Sequence, residues 1–170
     1  MFGTSPVELM AMQAMMAGLV MCQAFTYSAV FFGTTALGAS PAVVTIPTQI
    51  TADSDFVVQR MNLTSWSAAG TLTADPDYLL LLTINGSAVQ LMDQPQSVQN
   101  LCGNFTSNKV PADWPYPYLM IANNTLSAQL TNRSAVAANR VDLSYIGFKV
   151  KYLTNPDGTP ATRQQVFNSL

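Results

Sequence analysis

Hydrophobic positions are spaced in two ways along this chain. From Val7 to Leu37 they run almost unbroken, with Glu8 as the one charge, and no Lys or Arg precedes Arg60. Beyond Val43 they come in short alternating bursts, separated by clusters of Asp, Asn, Pro and Gly. The first pattern predicts an apolar helix. The second predicts an all-β sandwich or barrel.

Ser5-Pro6-Val7-Glu8 is a helix start: Ser5 can cap the Glu8 N–H, Glu8 can reach back to the Ser5 N–H, and Pro6 suits the first helical position. Good helix formers follow, so a helix is expected from Pro6 to about Phe25, roughly 30 Å long, running toward Phe32 before Gly33 and Gly38 break it. At helical spacing Glu8, Gln13 and Gln23 share one arc, and Ala14, Gly18 and Cys22 fall at four-residue intervals on the apolar remainder. Such a helix must be covered on most sides, by protein or by lipid. A signal peptide or membrane anchor would want flanking basic residues, which are missing. A pilin-like N-terminus would explain Gly3 and Glu8, but its leader would be only Met1-Phe2-Gly3, without basic residues. An ordinary core helix covering the β-domain is a further reading. The preferred one is an assembly helix that packs on copies of itself or on a larger shell. Met12, Met15, Met16, Leu19 and Val20 would be its contact residues, methionine being adaptable filling.

Strands are predicted at Val43–Ile50, Phe56–Leu63, Tyr78–Ile84, Ala88–Met92, Tyr118–Ala122, Thr125–Leu130 and Val141–Leu153. Asn85-Gly86 signals a tight turn, and Gly147 marks a bulge or a close backbone approach. The last strand alternates as Val141, Leu143, Tyr145 and then, past Gly147, as Phe148, Val150, Tyr152. The chain is thus expected to be mainly β: an N-terminal apolar helical segment (1–40), an antiparallel β-sandwich of jelly-roll-like form (41–153), and a C-terminal tail (154–170).

Composition turns this outline toward binding. Charged residues make up 9% of the chain and the net charge is −2, against roughly 25% charged residues in soluble domains. The polar surface must be Ser, Thr, Asn and Gln, which desolvate more cheaply than ions against a neighbour. The bases are scattered, so no direct nucleic-acid contact is expected. Cys22 and Cys102 read as buried free thiols, and without histidine there is no zinc ligand set. No cofactor or metal is expected.

Candidate chemistry is sparse. Asp53 and Asp55 could contribute to a Ca²⁺ site, but Asp in turns usually bonds its own backbone, and Asp75-Pro76-Asp77 reads the same way. Trp114-Pro115-Tyr116-Pro117-Tyr118 is either a proline-stiffened loop over the end of the sandwich or a contact loop for a partner or sugar, with Trp114, Tyr116 and Tyr118 as its rings. Asn62, Asn85, Asn104, Asn123 and Asn132 each open an N-glycosylation pattern. Hydrolysis lacks a histidine base, leaving only a carboxylate pair such as Asp113 with Asp142, so no enzyme is expected.

The run Ile46-Pro47, then Ile50-Thr51-Ala52-Asp53-Ser54-Asp55-Phe56-Val57-Val58-Gln59-Arg60, resembles an element of small β-sandwich structural proteins of tailed bacteriophages. The Pro/aromatic stretch at 114–118, Leu126 and Leu130 with Thr131-Asn132-Arg133-Ser134, and the closing strand Val141 to Val150 match in order. The resemblance spans about Ile46 to Val150, rests on turn and packing signals, and leaves out the apolar N-terminus. It implies a non-enzymatic virion component: a minor capsid, cement, vertex or neck protein, touching copies of itself and the major capsid or neck protein. The alternative is an extracellular or membrane-tethered binding module, pilin-like or secreted. Membrane contact is compatible with the chain but not favoured.

Overall fold

The structure is a computed structural model describing residues 5–33, 36–73, 76–85, 89–102 and 112–167. The side chains of 85, 89, 90 and 112–116 are outside that description. The elements are α1 (Pro6–Met16), β1 (Val20–Phe32), β2 (Val43–Gln49), β3 (Asp55–Ser67), β4 (Tyr78–Asn85), β5 (Val89–Gln90) and β6 (Gln96–Ser97). They continue with α2 (Val98–Cys102), β7 (Ala112–Met120), β8 (Thr125–Asn132), β9 (Ala138–Tyr152) and α3 (Arg163–Val166). The chain is mainly β, built as two antiparallel sheets. Sheet A has the order β1-β9-β3-β7, and sheet B the order β2-β8-β4-β5 with β6 also on β4.

The N-terminal segment corrects the sequence reading. The helix stops at Met16, and residues 20–32 form a strand hydrogen-bonded to β9 through thirteen residue pairs, from Val20↔Tyr152 to Phe32↔Arg140. Gly18 is the cause: it adopts φ 71°, and the Leu19 N–H returns to the Ala14 carbonyl, which closes the helix C-terminus. Beyond it, Phe25-Thr26-Tyr27-Ser28-Ala29-Val30-Phe31-Phe32 is aromatic and β-branched, and a pleated surface accommodates those side chains better than a helix does. Residues 20–32 therefore stand inside the sandwich and not in a separate helical segment. Tyr27, Ala29 and Phe31 point into the core, while Thr26, Ser28, Val30 and Phe32 face outward.

The main core lies between the sheets, with Phe31, Phe56, Met61, Leu82, Leu130 and Leu143 fully buried. α2 adds Val98 and Cys102 to it. A second apolar cluster lies on the outer side of sheet A, where Val57 and Val150 meet Val7, Ala11 and Ala14 of α1 and Val166 and Phe167 at the C-terminus. The C-terminal segment is thereby tied down over the sheet.

The bulge expected near Gly147 belongs to the neighbouring strand. The β3–β9 register shifts between Val58 and Arg60, leaving Gln59 extra, and Gly147 sits opposite. A Cβ on Gly147 would lie 1.8 Å from the Val57 carbonyl oxygen, so the close approach admits glycine alone. The hairpin expected at Asn85-Gly86 joins β4 to β5, paired at Ile84↔Val89; residues 86–88 are outside the described set.

Candidate functional site

α1 is anchored at its start and along one face. Ser5 and Glu8 form the capping box: the Glu8 N–H donates to Ser5 Oγ (3.2 Å) and the Ser5 N–H to Glu8 Oε2 (2.9 Å). Gln59, the bulge residue of β3, also donates to the Glu8 carboxylate, which ties the cap to the sheet. Burial raises the Glu8 pKa, but the hydrogen bonds from Ser5 and Gln59, with Arg60 nearby, outweigh it and hold the carboxyl below its ordinary value. Val7, Ala11 and Ala14 then bury the inner face.

The outer face of α1 is apolar as well. Leu9, Met12 and Met16 recur at i, i+3 and i+7, with Met15 alongside, and Met12 is 52% and Met16 86% exposed. Of the five proposed contact residues, Met12, Met15 and Met16 thus stand on an exposed face. Leu19 and Val20 do not: Leu19 packs against the outer cluster and Val20 is buried at the start of β1. Among the described residues, no helix is long and apolar enough to cross a membrane. The pilin-like resemblance covered about twenty residues as an apolar helix; α1 has 11.

The acidic turn residues are taken up by cations. Asp55, with 1% of its side chain exposed, accepts two hydrogen bonds from Arg163 (Nε to Oδ2 2.6 Å, Nη2 to Oδ1 2.8 Å), one from the Tyr152 hydroxyl (2.5 Å) and one from the Ala122 N–H (2.8 Å). Burial alone would raise its pKa; Arg163, Tyr152 and Ala122 outweigh that and lower it. Asp53 lies 3.5 Å from Lys149 and 3.1 Å from Lys151, and hydrogen bonding, from Thr51 first, pulls its carboxyl well below the usual range. The buried Lys149 ammonium donates to Thr51 Oγ1 (2.9 Å) and sits 4.2 Å from the Phe25 ring centre. These carboxylates hold elements together.

The carboxylate pair does not assemble. Asp113 pairs with Arg60 on β7, and Asp142 lies beyond β3, four residues along β9 from Ile146, the other neighbour of Arg60. Their backbones are on the order of 15 Å apart. Asp142 instead binds Arg140 at 2.8 Å.

The Pro/aromatic stretch is strand β7 rather than a loop. It forms the edge of sheet A, and Pro115 and Pro117 fall where the β3–β7 register shifts, so their missing N–H groups interrupt no ladder. Tyr118 packs against the main core; the rings of Trp114 and Tyr116 lie outside the described side chains. Of the glycosylation patterns, Asn132 is fully buried and donates to the Gly38 and Val136 carbonyls while accepting from the Ser134 N–H, so it is a structural bracket. Asn62 lies partly buried on β3, Asn123 occupies a turn with φ 66°, and Asn104 is outside the described residues. Burial raises the pKa of both free thiols, that of Cys102 to about 12.

Sequence reasoning missed the open half of the outer face of sheet A. There Arg140 lies between two rings, 5.5 Å from the Trp66 centre and 6.0 Å from that of Phe32. The signal was the alternation of Val30 and Phe32 with Ala29 and Phe31, hidden by the helical reading.

No family model matches the chain, and no curated protein matches it. Among solved structures, dimeric latent PorU from Porphyromonas gingivalis is matched at 10% identity, over 81% of this chain and 13% of that one, with a TM-score of 0.34. At that level the likeness carries no argument about fold or function.

Proposed function

We propose that the sandwich is a jelly roll and that the chain is a non-enzymatic structural subunit of a bacteriophage virion, decorating or connecting the capsid. The strand order supports the first part. β1 pairs with β9, β2 with β8, β3 with β7, and β4 with β5 and β6. The pairs alternate between sheets A and B, as when one long antiparallel ribbon is wound around a core. Jelly rolls recur in viral capsids and lectins alike, so the functional reading needs a surface of its own.

The exposed apolar face of α1 is the observation that carries it. Leu9, Met12, Met15 and Met16 sit on a helix fixed by its cap and its buried inner face, so covering them costs side-chain but little backbone ordering entropy. The ion pairs Arg140–Asp142, Arg163–Asp55, Lys151–Asp53 and Arg133–Asp77 leave the surrounding surface close to neutral. Attachment to the shell would then be apolar and weakly salt-dependent.

Purified virions test this. They should contain the chain, and a variant with Met12→Lys and Met16→Lys should be incorporated at least about tenfold less while melting at the wild-type temperature. Absence of the chain from particles, or undiminished incorporation of the variant, overturns the reading.

A further inference from the structure

We infer that β1 pairs edge to edge with β1 of a second copy of this chain, antiparallel and centred on Thr26, joining two four-stranded sheets into one of eight. The inference comes from comparing the four sheet edges formed by the described residues. β2 is seven residues long and carries Pro47; β7 carries Pro115 and Pro117; on the far edge of sheet B, β5 and β6 have two residues each. Short strands and prolines are how edges are kept from pairing. β1 has neither. It runs thirteen residues with no charge and no proline, and its register with β9 is unbroken.

A second copy fits this edge for three reasons. The strand is uncharged, so self-pairing brings no like charges together. Pairing centred on Thr26 matches every residue of the strand, Val20 with Phe32 of the other copy and Val30 with Cys22. It also sets exposed apolar groups against each other. Val30 and Phe32 lie on the outer side of sheet A, as α1 does, but at the opposite end of β1. An antiparallel partner therefore brings its Val30 and Phe32 beside Met15 and Met16 at the end of α1, and the two-fold axis repeats the contact. A thirteen-residue strand is about 43 Å long. Pairing over that length covers a strip about 43 Å long and about 10 Å thick, and the contact with Met15 and Met16 adds to it toward the roughly 800 Å² per partner of a standard specific interface. The open backbone edge would supply the hydrogen bonds and the alternating side chains the selectivity.

Sedimentation equilibrium of the full chain at tens of micromolar tests the pairing. Wild type should be dimeric. Thr26→Lys and Thr26→Glu each place like charges face to face across the axis and should weaken dimerisation at least tenfold, while mixing the two variants one to one should restore a dimer. Thr26 is exposed, so at protein concentrations too low for association the melting temperatures should be unchanged. A monomeric wild type, single variants as dimeric as wild type, or no recovery on mixing overturns the inference. It stands on the open strand edge, to which Met15 and Met16 only add contact, and its failure would leave the virion reading, which rests on the exposed face of α1, untouched.

Discussion

Along residues 148–152 of β9 the outer side of sheet A lies under α1 and α3, whereas along residues 140–146 the same strand is partly open to solvent. The covered end carries Val57, Phe148 and Val150. The open end carries Thr64, Asn62, Ser144 and the Arg140–Asp142 pair. One sheet thus has an interior-like end and a surface-like end on the same face, and Gly147 with the Gln59 bulge marks the boundary. Cover follows the outward residues: where they are mainly apolar, the terminal segments fold back onto them; where Val30, Phe32 and Trp66 are interspersed with Thr64, Ser144 and the Arg140–Asp142 pair, nothing in the described chain does. The Asp55–Arg163–Tyr152 node then locks that cover in place.

The boundary is where the comparison breaks most easily. Gly147→Ala should cost about 4 kcal/mol, because the new methyl meets the Val57 carbonyl, a backbone group that cannot rotate away. Urea unfolding measures it, and a cost below 1 kcal/mol would mean the strands separate easily there. Next comes the lock. Asp55→Ala should cost about 3 kcal/mol, the low end for a broken buried pair, since Arg163 is 40% exposed and can be rehydrated. The pH dependence has a definite sign. The folded-state pKa of Asp55 is lowered, so its contribution is complete above the ordinary Asp value of about 4 and is lost as pH falls through the lower folded value. The stability gap between wild type and Asp55→Ala should therefore narrow below about pH 4. A gap constant from pH 7 to pH 2 would assign the loss to packing instead.

Much of the sandwich was legible. The strands at Val43, Tyr78, Thr125 and Val141 were read within a few residues, because period-two alternation bounded by turn residues has few other interpretations. β1 was not, because an unbroken apolar run fits a buried helix as well as a strand, and the deciding residue, Gly18, was counted as a small helix residue rather than a cap. β9 carried a subtler signal. Its apolar positions change parity at Gly147, from Val141, Leu143 and Tyr145 to Phe148, Val150 and Tyr152. With no extra residue in β9 itself, that switch sends the second set to the opposite face, where the outer cluster forms. Of α1, the methionines of the outer face were legible and the extent was not. Asp55 was legible as a turn acid; its partner Arg163 lies 108 residues away, a separation that no local pattern spans.

The two ends can be compared with one chemistry. Val57 and Val30 both point outward from sheet A, Val57 beneath α1 and fully buried, Val30 on β1 and 39% exposed. Val57→Ala should cost about 2 kcal/mol, from lost transfer energy plus the cavity left under a helix that cannot collapse while its cap and the Asp55 lock hold it. Val30→Ala should cost less than about 0.5 kcal/mol in the monomer, because solvent fills the space. The difference between the two, measured by urea unfolding at low protein concentration, isolates the cover from the strand. Repeating Val30→Ala at concentrations where copies associate adds a second axis. A cost that grows with concentration would mean a second copy closes the open end as α1 closes the other; a cost that stays flat would leave Val30 a surface residue at every concentration.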